Sequence, residues 1–585
     1  MDSKIQLFVA AEVCSALATH QWFKRCDPVG LKSAVALLAV IPSISTWMLF
    51  QQTHSILLSV VCAYPAFYFL VAVFVIAYRL SPYHPLAKYP GPILMKITKL
   101  WGAWIAYTGK THIYLKAVHD QYGPTVRIGP NELSTIEKAF LPNIIGSQGM
   151  PKGPMWDGRK FAQTDAQKDY DNIIDLRDDV LHAQLRKPWN KAFLAEPLKD
   201  YEALLIPRVT QIIKILKNIC EDDDDGIGKV DIAKWMGCFA VDFIGDVAFG
   251  GCFQLMDEGD KDGVFHAMEE AMYLPSITHH VPWISKFMRY FPMVNGGMTR
   301  FIEFGLEKAL TRYSMEMKRK DLFYHMCEAA NNLDSELPII ISNALLAIVA
   351  GSDTTAFTLN CILYLLLSTP EAYQRLQWEI DVAFSKHDIP NAYVNTKSDN
   401  DTIQARYGDI LGSLPYLNAV INEGLRMFPS VTTGLQRAPA KGSGGKILQS
   451  GPLNPTVFLP EGNAITVPAY VLHRDPRYFS PCPDKFIPER WLTIAEKQQF
   501  ATKFNTSRDA FIPFSLGQHN CVGRPLALME MRYVLAAFLR NFDTEFNRAE
   551  YDSTQWEEKM QDRFTCQAMG NLPIRIRFRG VGGEK

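Results

Sequence analysis

The chain has no cysteine pattern of the kind that builds a zinc ribbon or a disulfide framework. Its 11 cysteines include no C-x-x-C pair and no regular spacing, so most read as small buried apolar residues of a reducing compartment. It also has almost no net charge, with 60 Lys and Arg against 61 Asp and Glu. No global field therefore draws in nucleic acid or an acidic partner. Internal repeats are absent, and no G-x-G-x-x-G opens a helix after a strand, which excludes a built-in dinucleotide fold. Strand-like stretches are few and short. What remains is a chain of 585 residues, 48% hydrophobic and 21% charged. That is a globular composition, with length enough for a large core and an accessory region.

The first eighty residues differ from the rest. Ser33–Phe50 and Ser55–Tyr78 contain no charged residue, and each is about long enough to cross a hydrocarbon core of ~30 Å. Leu7–Thr19 is a weaker run carrying Glu12. It reads as interfacial or as a third, marginal span, and not as a cleaved signal peptide, because it has no convincing cleavage site. Lys24, Arg25 and Lys32 precede the first strong run, Arg79, Lys88, Lys96 and Lys99 follow the second, and Gln51–His54 has neither Lys nor Arg. The positive-inside tendency then predicts a hairpin with both ends cytosolic. Ser81–Pro92 is proline-rich and cannot continue a helix, so it reads as a stiff joint. The expected organisation is an anchor over 1–80 (spans near 33–50 and 55–78, a weak one at 7–19), a joint over 81–93, and one large domain over 94–585.

That large domain is patterned mainly as helix with a minor β portion. Val209–Ile219, Val264–Tyr273, Leu337–Leu367 and Leu417–Met427 read as helices, and Thr125–Ile128, Ala464–Val467 and Pro573–Phe578 as strands. Glu221–Asp225 is a like-charge run that suits a solvated loop.

Four local patterns carry chemistry. In Phe514-Ser-Leu-Gly-Gln-His-Asn-Cys-Val-Gly523 a cysteine stands just before an apolar helical run. Unpaired amides and the positive helix end favour an anionic sulfur there. Gly517 and Gly523 would permit tight turns and close approach of a flat group, and Phe514 can shield the sulfur. In Ala350-Gly-Ser-Asp-Thr-Thr355, Asp353 and Thr354 put polar groups inside an apolar helix whose Gly351 costs about 1 kcal/mol relative to alanine. A local helix distortion there would open a groove for water, whereas a threonine bonded back to its own helix is the plainer outcome. Glu423 and Arg426 share one helix face at i, i+3. Finally, His182 and Arg186 sit four residues apart on a helical stretch.

The cysteine segment resembles the haem-binding loop of the cytochrome P-450 family, F-x-x-G-x-R-x-C-x-G. Phe514, Gly517, Cys521 and Gly523 match, while His519 stands where arginine is usual. The Asp353-Thr354 segment is similar to the family's oxygen-activating helix, Glu423–Arg426 to its E-x-x-R, and Phe486–Trp491 to its P-E-R segment. His473–Pro476 and the His182/Arg186 helix fall in family order with these. The resemblance implies the cytochrome P-450 fold behind N-terminal transmembrane helices and a haem b held by the Cys521 thiolate. His182, Arg186, Arg437 and His519 would meet the haem propionates. Glu423, Arg426 and Arg490 would form a structural triad, and Asp353 and Thr354 would supply protons to dioxygen. The implied reaction is monooxygenation of a lipophilic substrate. Electrons would come from NADPH through a separate NADPH–cytochrome reductase, for whose docking Lys187 and Lys191 are candidates. The microsomal type implies the endoplasmic reticulum membrane, with the catalytic domain in the cytosol. The multi-span N-terminus, with Thr19–Arg25 and His84–Pro92, looks like basidiomycete enzymes that commonly oxidise terpenoids and other secondary metabolites. A haem-thiolate isomerase or dehydratase, and a haem- or lipid-binding membrane protein without catalysis, are the alternative readings.

Overall fold

The computed structural model describes residues 3–26, 31–160, 172–251, 253–261, 263–288, 296–315, 320–387, 401–449, 456–497, 503–550, 552, 555–568 and 570–580. The chain divides into two compact units, residues 1–102 with 125–133, and residues 103–124 with 134–585.

The first unit is mainly helical and also contains the strand Thr125–Gly129 and the first two residues of the strand Glu132–Thr135. Helix α1 covers Ser3–Cys26, α2 covers Leu31–Val35, α3 covers Ile41–Thr53 and α4 covers Ile56–Leu80. A π turn at Ala36–Val40 joins α2 to α3. Widening a helix in this way loosens its carbonyls, which hydrocarbon cannot solvate. Here Tyr64 donates to the Ala39 carbonyl at 3.1 Å and Tyr68 to that of Leu38 at 2.5 Å. The turn between α3 and α4 is tight. His54 takes a left-handed conformation (φ 53°) and Ser55 caps α4 through the Leu58 amide. Three helices among the described residues are long and apolar enough to cross a membrane, Lys32–Thr53, Ile56–Leu80 and Ser335–Leu367. The first two show little burial within the protein, whereas half of the third is covered, which marks it as a core helix. Helix α1 is not among the three. Ser81–Pro92 contains no helix, as its prolines require.

In the second unit the helices that position the site are α5 (Asp179–Ala192), α6 (Ala195–Glu221), α7 (Ile232–Phe249), α8 (Val264–Thr278), α9 (Leu333–Leu367), α10 (Pro415–Met427) and α11 (Arg524–Asn541). The expected helices fall within α6, α8, α9 and α10. The acidic run ends α6 and continues as a turn. Among the strands, β1 is Ile227–Asp231, β2 Leu435–Arg437, β3 Ala464–Val467, β4 Phe542–Phe546, β5 Met560–Arg563, β6 Thr565–Ala568 and β7 Pro573–Phe578. An antiparallel sheet runs β4-β7-β1, β2 pairs with β3, and β5 and β6 form a hairpin.

Helices α7 and α9 pack closely because Gly351 has no side chain. A Cβ at that position would lie 2.5 Å from the Ile244 Cδ1. Packing of this kind explains a mid-helix glycine. The expected distortion is not there: α9 runs unbroken from Leu333 to Leu367. Thr354 Oγ1 donates to the Ala350 carbonyl at 2.7 Å, the ordinary back-bond of a helical threonine.

Candidate active site

One cavity of about 750 Å³ brings the sequence motifs together. Its wall includes Phe514, His519, Cys521 and Gly523 from the cysteine loop, His182 and Arg186 from α5, Arg437 from β2 and Thr354 from α9. Asp353, Gly517, Glu423, Arg426 and Arg490 are not in the wall.

The cysteine loop is held by its own backbone and by α5. The Cys521 amide donates to the Phe514 carbonyl at 2.9 Å. Gly517 has φ +69°, and a Cβ there would strike the Gly146 carbonyl oxygen at 2.4 Å, so only glycine fits. Gly523 is different. Its φ is −77° and a Cβ would stand 3.9 Å from the Cys521 sulfur. Turn geometry therefore does not demand glycine at 523, and close approach of a group to the sulfur is the reason left. Arg186 clamps the loop, donating through Nη1 to the Asn520 carbonyl at 2.7 Å and through Nη2 to Asn520 Oδ1 at 2.8 Å.

Cys521 shows appreciable surface, yet it is enclosed deeply enough for desolvation to dominate its acidity. Both hold because that surface faces the cavity. Burial pushes the thiol up, opposed by the Gly523 and Arg524 amides and the Arg186 and Arg524 cations. The helix start alone thus does not make the thiolate. A bound metal ion would, since coordination deprotonates a thiol.

Around this sulfur the wall is crowded with cationic and imidazole groups. Burial brings Lys152 down to about 7, His182 to about 4 and Arg437 to about 10, and repulsion by neighbouring cations adds to the fall of Lys152 and His182. His519 is lowered by burial and by Arg437, Lys152, His182 and Arg186. Its Nδ1 lies 3.2 Å from His182 Nε2 and its Nε2 3.1 Å from Asp179 Oδ1. Arg437 is 2% exposed, and its Nε is buried with no hydrogen-bond partner among the described residues. Groups that depress one another in this way, with a guanidinium N–H left over, suit a ligand bearing carboxylates. A flat macrocycle with two propionates and a metal for Cys521 fits this donor set.

Behind the loop, Glu423 accepts five hydrogen bonds. Arg426 donates through Nε and Nη2 at 2.8 Å each, Arg490 through Nε at 3.0 Å, Trp491 through Nε1 at 2.8 Å and the Ile487 amide at 2.9 Å. All three charged side chains are fully buried. The sequence pattern had singled out the triad; Trp491, next to Arg490, is the added partner.

Thr565 is the residue that sequence reasoning missed. Its Oγ1 donates to Asp353 Oδ2 at 2.6 Å, and it lines the cavity although Asp353 does not. The strands β5 and β6 meet at Phe564, whose φ of +78° is unusual for a non-glycine residue. Asp562 accepts from Thr433 at 2.5 Å and the Cys566 amide donates to the Ser430 carbonyl at 2.7 Å, which anchors the hairpin tip. Nothing near position 565 in the chain signals this contact, since its partner lies 212 residues away. Burial raises the Asp353 carboxyl to about 6, against the opposing hydrogen bonds of Thr565 and Gln567.

Comparison with known proteins gives a consistent family. The family model described as Cytochrome P450 matches residues 89–565. "Cytochrome P450 monooxygenase FCK2" of Fusarium pseudograminearum is 30% identical over 509 residues, covering 86% of this chain and 83% of that protein. "Trichothecene C-15 hydroxylase" of Fusarium sporotrichioides is 31% identical over 83% of this chain and 92% of its own length. "Cytochrome P450 67" of Uromyces fabae is 29% identical over 94% of this chain and 96% of its own.

Proposed function

Because the chain belongs to the cytochrome P450 family and is a haem-thiolate monooxygenase, we propose that it oxygenates a lipophilic, terpenoid-like substrate of secondary metabolism at a membrane surface. The observation that carries this reading is the single cavity in which Cys521, the cationic set and Thr354 share one wall. Cys521 would ligate the haem iron through its sulfur. Arg437, His182, His519 and Arg186 would hold the propionates, with Lys152 beside them. Phe514 covers the sulfur. Haem iron with a thiolate ligand, when bound, supplies the oxygen activation, because electron density pushed from sulfur favours O–O cleavage.

The chain's own residues supply protons and order. Asp353 is the acid that accepts from the cavity-lining Thr565 hydroxyl. Thr565 holds its Oδ2, and Thr354 presents Oγ1 at the wall. Glu423, Arg426 and Arg490 lock the segments behind the cysteine loop and take no part in the reaction. Residues 1–80 anchor the protein, 81–93 join the anchor to the haem-binding domain, and 94–585 carry the chemistry. The anchor sits in the endoplasmic reticulum membrane with the domain in the cytosol, consistent with two exposed apolar helices flanked by Lys24, Arg25, Lys32 and Arg79. A separate NADPH–cytochrome reductase brings the electrons. Lys187 is exposed and suits its docking, whereas Lys191 already pairs with Glu328 at 2.6 Å.

The test is expression with a reductase and comparison with Cys521→Ala. The variant is expected to lose the thiolate-type carbonyl spectrum and all oxygenation. Retained oxygenation in the variant defeats the assignment.

A further inference from the structure

Helix α9 gives the cavity a continuous stripe. Pro338, Ser342, Leu346, Ala350, Thr354 and Thr358, every fourth residue along one helix face, all line it. At 1.5 Å per residue the stripe runs for about 30 Å. Thr354 stands near one end of it and Pro338 at the other. The wall also takes Phe301, Ile302 and Leu306 from the helix Gly296–Ser314. That helix lies directly on α9, since a Cβ at Gly305 would stand 1.7 Å from the Leu345 Cδ2. The arm of the cavity remote from Thr354 is thus a slender apolar channel beside two packed helices.

Two polar groups open into this arm. Ser342 is half-buried, and its hydroxyl makes no hydrogen bond among the described residues. It differs in this from Ser352, Thr354 and Thr358 of the same helix, which bond back to its carbonyls at 2.7, 2.7 and 2.8 Å. Asn172 is half-buried too. Its Oδ1 accepts from the Ile174 and Asp175 amides at 3.2 and 3.1 Å, which fixes the side chain. Its Nδ2 has no partner among the described residues. Ser342 and Asn172 flank a single tie, the Ile173 amide to Asn343 Oδ1 at 3.1 Å. Their charged neighbours are engaged: Lys152 Nζ donates to the Ile173 and Ile174 carbonyls, and Arg159 Nε to Asp175 Oδ1. Thr355 also has a hydroxyl without a bond among the described residues, but it stands beside Thr354 at the reacting end.

Ser342 precedes Thr354 by 12 residues, which is about 18 Å along α9. A channel that is apolar over that span and polar at its remote end selects a molecule with the same pattern. A neutral hydroxyl suits the polar end, because it can accept from Asn172 Nδ2 and donate to Ser342 Oγ. A carboxylate suits it less. The cations beside it are already engaged, and the Asp175 carboxylate in the same wall would oppose it.

We propose that Ser342 and Asn172 hold the hydroxyl end of an extended, acyclic, terpenoid-like alcohol, and that oxygen enters its far, apolar end beside Thr354. A C–H bond there becomes C–OH. One atom of dioxygen is inserted and the other leaves as water, with two electrons from the reductase and two protons. Ser342 and Asn172 touch the substrate and set its register along α9, and they take no part in bond making. A compact polycycle of equal mass cannot reach both ends of the channel. This assignment rests on the monooxygenase reading of the same cavity.

The experiment is ligand titration of the purified full-length holoenzyme, read from the haem Soret shift, followed by turnover with a reductase and location of the new oxygen in the product. The probes are farnesol, its tricyclic isomer cedrol, and the hydrocarbon farnesene. In the wild type farnesol is expected to bind about tenfold or more tighter than either of the others. Its oxygenation is expected in the half of the chain remote from the hydroxyl. Ser342→Ala, which breaks no side-chain bond of the protein, is expected to weaken farnesol about fivefold to tenfold, leave farnesene affinity unchanged and scatter the position of oxygenation. Asn172→Asp keeps the acceptor for the two amides and loses the donor, and the same outcome is expected. A wild type that binds cedrol as tightly as farnesol, shifts with no probe, or oxygenates beside the hydroxyl overturns the proposal. So does either variant that keeps wild-type affinity and position. A wild type without a thiolate carbonyl band sinks the monooxygenase reading instead. A normal band without preference for the extended alcohol sinks only the role of Ser342 and Asn172.

Discussion

Replacing Asp353 by asparagine should make the protein more stable near neutral pH while impairing its chemistry. The folded protein holds this carboxyl at about 6, where the ordinary value is 3.8, and burial is the main cause. A group with a raised native pKa binds its proton more tightly folded than unfolded, so stability falls as pH rises between the two values. The penalty is absent below the ordinary value, builds between the two, and is complete above the native one. A shift of a little over two units at about 1.4 kcal/mol each sets its ceiling near 3 kcal/mol. Asp353→Asn removes the charge, and its amide oxygen can still accept from the Thr565 hydroxyl. We expect a gain of about 1–3 kcal/mol at about pH 7.5, shrinking to a smaller gain at about pH 5. The assay is the denaturant midpoint of wild-type and variant holoenzyme at both pH values. A gain of the same size at both, or a variant less stable than wild type at the higher pH, refutes the burial argument. Product formed per oxygen consumed should fall in the same variant.

Two further outcomes follow from the geometry. Glu423→Gln leaves Arg426 and Arg490 without their shared carboxylate in a fully buried site. It should cost about 3–5 kcal/mol, the usual loss on breaking a buried pair, seen as a lower denaturation midpoint; a change below about 1 kcal/mol would mean the triad is solvated or dispensable. Thr565→Val removes the hydroxyl that holds Asp353, and should slow productive turnover about tenfold and divert oxygen to peroxide, with Thr565→Ser restoring coupling. Unchanged coupling in the valine variant would show that Thr565 only packs.

How much was legible in the chain depended on the range of the interaction. Periodicity placed the helices and strands because each buries its own apolar face, and Ala464–Val467 and Pro573–Phe578 have the expected bounds. The cysteine loop was readable because its ingredients sit within ten residues of one another. Its finer logic was only half readable: Gly517 is required by a left-handed backbone against the Gly146 carbonyl, while Gly523 is not required by its own. The mid-helix Gly351 suggested a distortion, but close packing against Ile244 is its reason.

The family, the apolar N-terminal runs and the E-x-x-R pair were readable along the chain, and Cys521 stood out there as the candidate thiolate, because local spacing and residue type suffice for each. Folding was needed to show which groups answer one another across the chain: Thr565 on Asp353, Trp491 on Glu423, and His519 between His182 and Asp179. The physical reason is that a hydrogen bond is satisfied in space. Whether a buried polar atom has a partner depends on segments hundreds of residues apart, and no window along the chain contains both ends.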